Sequence, residues 1–513
     1  MTGVSEITSR SSFRKRERVL LSPTRRIWAK YILVILIYAV VFNFWQVEPV
    51  PGRVHLVGII IAAISVWPLA RWYAKETPGL PMFELICLAY GLQFAIPLYL
   101  QFNQAEMRGG HALLLTWDQT LRATSLVVLG LSSLIAAYYF TSANKLMGRV
   151  PKLDLPISPR SRIVYFIVTI AVGLGFILLR MLDIGPVVNS RLGAFVSLLS
   201  SQSYIAIALL AYQRYQSQKP SNRTKLILYL SVSVFMLLGL TTGGLENTLV
   251  PIVIWLIVRW HMTRKMPWKL LMAGFILFVF VLQPVKNAYR TRAWLTINTP
   301  SLVERVNLWA RLSEEWVVNL AKGDVLTEGE SVLRQSMQRL DLLHQFVLIQ
   351  ELTPDTVPYY YGETYSYLMY AWIPRLVWPE KPIAQQSNIT LALDYGLLYD
   401  EQVDKTMTGF SHLAEAYANF GILGIVVIMM LQGGVLALID MTLNGRESEG
   451  GRAVYVSIMV FFLNGIGSST AGIFGGIVQG ILVSAVILKL LDVSLRFHHG
   501  SRKINTTLAA TTK

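Results

Sequence analysis

The side chains best suited to chemistry fall between residues 286 and 421, and the first group of them is cationic. Arginine and lysine recur there as Lys286, Arg290 and Arg292, as Arg334 and Arg339, and as Arg375 and Lys381. A guanidinium meets two phosphate oxygens at once, and an ammonium adds a compact point charge. Arg290, Arg292, Arg339, Arg375 and Lys381 are therefore candidates to hold a diphosphate. The alternative is that these cations pair with Glu304, Asp341, Glu363 or Glu380 and only brace the segment. Pro374, Pro379 and Pro382 forbid a regular helix through Arg375, which predicts a rigid turn carrying Arg375 and Lys381.

The second group is Ser411-His-Leu-Ala-Glu-Ala-Tyr-Ala-Asn-Phe-Gly421. His412 and Glu415 are three residues apart and share a helix face, with Asn419 one turn further on. An imidazole suits general-base work near neutrality, and ionisable groups at a membrane helix are costly enough to suggest a role. The plain alternative is that both sit in water among headgroups. The third group is aromatic: Tyr359, Tyr360, Tyr361, Tyr365, Tyr367, Tyr370, Trp372 and Trp378. An interfacial belt explains most of them. Aromatic rings also stack on sugar faces. No HExxH, CxxC, P-loop or dinucleotide fingerprint is present, and no Asp-x-Asp pair that would grip a divalent cation. The expected chemistry uses no metal and no cofactor.

The elements that must position these residues are membrane helices. The chain has 513 residues, is 53% hydrophobic and only 15% charged, where soluble domains carry about 25%. Apolar runs of about 20 residues recur from residue 31 to residue 492, enough for about 12 spans. They are expected at 31–46, 55–73, 81–100, 121–140, 162–182, 193–212, 226–243, 247–261, 268–287, 412–440, 453–470 and 472–492. This excludes a cytosolic enzyme, a nucleic-acid-binding module and a secreted disulfide scaffold. The single cysteine, Cys87, lies in an apolar run and is expected in the core.

Lys+Arg 46 less Asp+Glu 30 gives a net charge of +16. Basic loops alternate with loops poor in Lys and Arg, which predicts both termini in the cytoplasm and an even number of spans. The excess charge is thus a topology signal, and no nucleic-acid partner is expected. The organisation expected is a basic cytoplasmic tail (1–30), nine spans (31–287), a large extracytoplasmic loop (288–411), three spans (412–492) and a second cytoplasmic tail (493–513). Over 286–411 there are about 11 basic and about 15 acidic residues, so the loop is no charge run. Val306, Trp309, Leu312, Trp316, Val317 and Leu320 give it one amphipathic helix, and Leu333, Met337, Leu340 and Val347 a second.

About nine spans, a loop bearing Tyr361-Gly362 and Pro-Arg-x-x-Trp-Pro-x-Lys-Pro (Pro374 to Pro382), then Glu-x-Tyr-x-Asn-Phe-Gly (Glu415 to Gly421), resembles the bacterial oligosaccharide repeat-unit polymerases, or O-antigen polymerases. The motifs cover about 286–421; the topology covers nearly the whole chain. The segment from His412 to Gly421 is also similar to the related O-antigen ligases. The resemblance implies an all-α, GT-C-like polytopic enzyme of the bacterial inner membrane that makes O-antigen, capsule or exopolysaccharide. Donor and acceptor would be undecaprenyl-diphosphate-linked oligosaccharides, joined with inversion on the outer face of the membrane, with a chain-length regulator as a possible partner. Arginines would stabilise the departing diphosphate without metal, His412 or Glu415 would take the acceptor proton, and Tyr361, Trp378 and Asp341 would hold the sugar. A ligase-type glycan transferase and a transporter of lipid-linked oligosaccharides are the rival readings. A transporter predicts charges deep in several helices or broken helices in paired repeats.

Overall fold

The structure is a computed structural model describing residues 23–45, 49–75, 79–99, 105–106, 112–113, 115–144, 150–153, 155–181, 191–216, 221–241, 245–293, 302–322, 340–383, 385–403, 408–444 and 448–511. Each expected span overlaps a helix. In chain order these include α1 (Pro23–Trp45), α2 (Gly52–Lys75), α3 (Met82–Ala95), α4 (Trp117–Ala143), α5 (Pro159–Met181), α6 (Arg191–Gln216), α7 (Asn222–Thr241) and α8 (Leu245–Thr263). The ninth, α9, runs through Trp268–Leu277, a π-helical turn Phe278–Leu282, and Gln283–Ala293. After α9 come α10 (Leu302–Lys322), α11 (Leu343–Leu352), α12 (Gln386–Asp394), α13 (His412–Leu443), α14 (Glu449–Asn464) and α15 (Thr470–Thr511).

Among the described residues, nine helices are long and apolar enough to cross a membrane. Their outward faces are apolar, as with Leu226, Leu230 and Leu237 on α7 and Leu482, Val486 and Leu490 on α15. Water would not tolerate so many such faces, whereas lipid does. The molecule is an all-α membrane protein. Of the twelve expected spans, the three outside these nine are α6, α8 and the 16-residue α14.

Local sequence sets the helix ends. Thr116 and Gln119 cap α4 reciprocally, and Ser411 and Ser448 accept the N–H groups of Ala414 and Gly451. Small residues set the closest packing. A Cβ at Gly433 of α13 would collide with the Leu134 carbonyl of α4, and one at Gly130 with Leu413. Cys87 is fully buried, as expected.

The expected helix 412–440 is not one rod. Gly421 (φ 62°, ψ −145°) breaks it into 412–420 and 422–443. A Cβ at Gly424 would meet the Ala416 carbonyl, and Gly130 lies against both Leu413 and Ile425. The His412 ring reaches the Gln432 side chain. In a straight helix those residues would stand about 30 Å apart, at 1.5 Å each. Segment 412–420 therefore folds back along 422–443, and His412 lies halfway down α13 instead of at its mouth. A Gly-only backbone conformation permits the reversal.

The described part of the large loop is not a separate body. Leu342, Leu343, Phe346, Leu391, Tyr395 and Phe410 share one core with α3, α4 and α13. The expected amphipathic helix is α10, whose Trp309 and Leu312 pack on Val285 and Tyr289 of α9. The Trp316 indole donates to the Phe280 carbonyl at 2.6 Å, using an acceptor in the π-helical turn. Leu333 and Met337 of the second expected helix lie outside the described residues. The sequence Asn388-Ile-Thr390 reads as a glycosylation sequon, but Asn388 is buried in α12.

Candidate functional site

Two adjoining places gather the candidate residues. The first is a cavity of about 450 Å³ between α6, α14 and α15. Arg375 and Lys381 line it, with Ser201, Gln202, Ser457, Phe461, Gln479 and Ser484 among its other walls. The proline-bounded turn holds itself in shape by hydrogen bonds to its own carbonyls. Arg375 Nη1 donates to the Pro379 carbonyl at 3.1 Å. Lys381 Nζ donates to Ala371 at 2.9 Å and Ile373 at 2.7 Å. Ala371 in turn sits on Gly475 of α15, where a Cβ would collide with it. Among the described residues no carboxylate lies within ion-pairing distance of Arg375 or Lys381. Burial first, and the Arg375 charge second, hold the Lys381 ammonium below the usual lysine range. Two cations on one turn over a cavity are an arrangement that can hold an anion.

The second place is a buried polar cluster, termed the chamber below, around His412 and Glu415, which are 0% and 1% exposed. Tyr90 Oη of α3 lies 3.2 Å from His412 Nδ1. His412 Nε2 faces the Gln432 carboxamide, and neither makes a well-formed hydrogen bond among the described residues. Glu415 Oε2 accepts the Thr470 N–H at 2.8 Å, so the carboxylate meets the N-terminus of α15. Glu415 Oε1, Thr470 Oγ1 and Tyr365 Oη adjoin one another, each without a well-formed bond. Burial, then the Glu415 charge, pushes the Tyr365 phenol well above its ordinary pKa.

The loop closes this chamber by completing the broken helix. A helix end leaves carbonyls without partners. Tyr360 N donates to the Ala418 carbonyl at 3.1 Å and Tyr361 N to the Asn419 carbonyl at 3.2 Å. Gly362 N donates to Asn419 Oδ1 at 2.9 Å, while Asn419 Nδ2 reaches Thr364 Oγ1 and the Glu415 carbonyl, each at 2.7 Å. Tyr361 (φ 49°) and Gly362 (φ 97°) supply the left-handed turn that aims these N–H groups. One helix wall separates the two places. Phe461 lines the cavity, and its neighbour Phe462 packs edge-on against the His412 ring at 5.5 Å.

The structure joins Arg375 to Lys381, and His412 to Glu415, but it does not gather all five expected cations. Arg290 and Arg292 lie on α9, apart from the cavity walls, and Arg292 faces Glu315 of α10 at 3.8 Å. Arg334 and Arg339 lie outside the described residues. Asp341, expected to hold a sugar, instead accepts the Leu343 and His344 N–H groups at 3.0 and 3.1 Å and bonds the His344 ring. Tyr361 and Trp378 are exposed and do not line the cavity; Trp378 packs on Tyr370 at 5.6 Å and Tyr361 on Tyr359 at 6.1 Å. Their aromatic faces serve the surface of the loop.

Gln202, Gln479, Ser484 and Thr470 were not among the candidates read from the sequence, and Tyr365 was read only as one of the aromatic group. Carboxamides inside apolar helices were the signal available for Gln202 and Gln479. Asp440, far down α13, was also passed over; it accepts from Tyr455 Oη at 2.6 Å and Asn444 Nδ2 at 2.7 Å. Asn444 goes on to bond both backbone groups of Leu80, so this cluster ties α13 to the start of α3.

Residues 161–494 match a family described as a domain of unknown function, DUF8712. The chain belongs to that family. Comparison with curated proteins and with solved structures finds no match. The DUF8712 region contains every residue named above for the cavity, and His412, Glu415, Gln432 and Thr470 of the chamber. Tyr90 lies before it.

Proposed function

We propose that this DUF8712 protein is a membrane-embedded glycosyltransferase that polymerises oligosaccharide repeat units carried on undecaprenyl diphosphate. The observation that carries the reading is the pair Arg375 and Lys381, on one rigid turn over a cavity, with no carboxylate among the described residues to neutralise them. In this reading all twelve helices α1–α9 and α13–α15 are spans. Both termini are cytoplasmic, and the loop faces the outer side of a bacterial inner membrane. A chain-length regulator belongs to the reading as a partner.

The donor's diphosphate rests on Arg375 and Lys381 with its prenyl tail in lipid. An acceptor hydroxyl forms a bond to the anomeric carbon from the opposite side. The bond from that carbon to the diphosphate breaks, and its electron pair leaves with the phosphate. Fixed donors aimed at the developing charge lower that barrier. The hydroxyl proton passes to the chamber side, where Glu415 and His412 are the available bases. Both are sealed and lie behind the α14 wall from the cavity, so in this reading the acceptor reaches them only when the loop cap on Asn419 loosens.

The test is turnover by purified protein in nanodiscs, supplied with a lipid-linked repeat unit and no ion gradient. The expected product is a ladder of polymer on the lipid carrier; no product above a Glu415→Gln control removes the reading. The pH dependence has a defined sign. Lys381 loses its proton earlier than an ordinary lysine, so affinity for inorganic pyrophosphate should fall by about tenfold as pH rises toward the normal lysine range, the worth of one charge-assisted hydrogen bond. Competition binding against a labelled lipid diphosphate measures it.

A second reading, a transporter of lipid-linked glycans, is favoured by the break at Gly421 and by His412 and Glu415 lying halfway along α13. Transfer of a labelled lipid-linked glycan across a liposome bilayer, without polymer, would select it.

A further inference from the structure

The cavity is not built for a hydrocarbon tail. Below the two cations its walls carry Gln202 and Ser201 from α6 and Gln479 and Ser484 from α15. Laying a prenyl chain against Gln479 would leave its carboxamide without a partner at a cost, whereas Gln202 is already bonded within the protein. We propose that this cavity holds the sugar nearest the phosphate of the lipid-linked glycan, with Gln202 and Gln479 as the residues that select it. The inference rests on the diphosphate reading of Arg375 and Lys381 and adds what lies beneath the phosphate.

Gln202 is held as a fixed hydrogen-bonding group. Its Oε1 lies 3.1 Å from Tyr165 Oη and 2.9 Å from Ser484 Oγ, and all three residues are buried. A pre-set carboxamide discriminates between sugars because it is not free to follow the ligand. Gln479 is the complement: its carboxamide has no hydrogen-bond partner among the described residues and lies on the cavity wall. As a lining residue with its donor and acceptor unused, it can bond a sugar hydroxyl that enters the cavity. Gly480 leaves α15 bare beside Gln479; a Cβ there would touch Ile458 at 3.4 Å. Phe461, 42% exposed, offers a flat apolar face at the same wall, the surface on which a sugar ring's C–H groups pack. The volume of about 450 Å³ is that of a small-ligand pocket, typically about 300–1,000 Å³.

The experiment measures binding to the full chain in nanodiscs with two probes, bare undecaprenyl diphosphate and the same lipid carrying one native sugar. Wild type should bind the sugar-bearing probe more tightly. Gln479→Leu, at a side chain that holds nothing else, should lower that affinity by about tenfold, the worth of one hydrogen bond, and leave the bare probe unchanged. Gln202→Leu should do the same, with melting temperature checked because Tyr165 and Ser484 lose a partner. Unchanged affinity in both variants overturns the proposal, and so does equal loss for both probes. Arg375→Gln should weaken both probes alike. If it weakens neither, the diphosphate reading fails, a result distinguishable from failure of the sugar site alone.

Discussion

Replacing Arg375 by alanine should abolish long-chain product while the protein stays in the membrane at its normal level. Arg375 is exposed on its turn and makes one hydrogen bond, to the Pro379 carbonyl, so its loss costs little folding energy. Its remaining N–H groups are available for an anion, and removing one well-placed donor to transition-state charge costs ~3 kcal/mol, or about 100-fold or more in rate. Arg375→Lys should recover part of the activity, because it keeps the charge and loses the two-pronged geometry. Lys381 is the poorer test. It is buried, and its ammonium satisfies two carbonyls, so Lys381→Met would disturb the turn as well as the charge. Polymer length separates the outcomes on a gel, and wild-type lengths from Arg375→Ala would end the clamp hypothesis.

The second large effect is expected at Gly421. A side chain there must adopt φ 62° and ψ −145°, and its Cβ would stand 3.0 Å from Tyr359 Oη. That backbone region is nearly closed to other residues and costs about 1–3 kcal/mol, with the contact added. Relief comes only by straightening the helix. Straightening would carry His412 away from Gln432 and Tyr90, and pull Glu415 from the start of α15. Gly421→Ala should therefore lower the melting temperature in detergent and remove activity together. Gly175→Ala is the matched control, since a Cβ there meets nothing within 4 Å; inside α5 it should be neutral or slightly stabilising. Equal behaviour of the two variants would mean that the fold-back at Gly421 does not matter.

Both predictions depend on features that the sequence discloses unequally. Arg375 and Lys381 could be placed on one rigid turn from Pro374, Pro379 and Pro382, because proline restricts backbone geometry locally. The helices could be placed from apolar runs, since bilayer thickness fixes how many residues a span needs. The amphipathic period of 306–320 likewise found α10, whose Trp309 and Leu312 are buried. Gly421 was different. The run Asn419-Phe-Gly-Ile-Leu-Gly424 has the composition of an unbroken apolar helix, and the carbonyls that make a break tolerable are capped by Tyr360 and Tyr361, about 60 positions away.

What the residues determine by themselves is therefore the set of helices, their membrane environment and the local shape of the cation-bearing turn, each a property of nearest neighbours along the chain. The partners were decided only in three dimensions. Gln202 meets Ser484 across 282 positions, Glu415 meets Thr470 across 55, Arg292 faces Glu315 instead of the cavity, and Asp341 bonds the start of α11. Which face of each helix turns inward is set by how small residues such as Gly130 and Gly433 let backbones approach. That mutual fit belongs to pairs of helices, so no single stretch of sequence contains it.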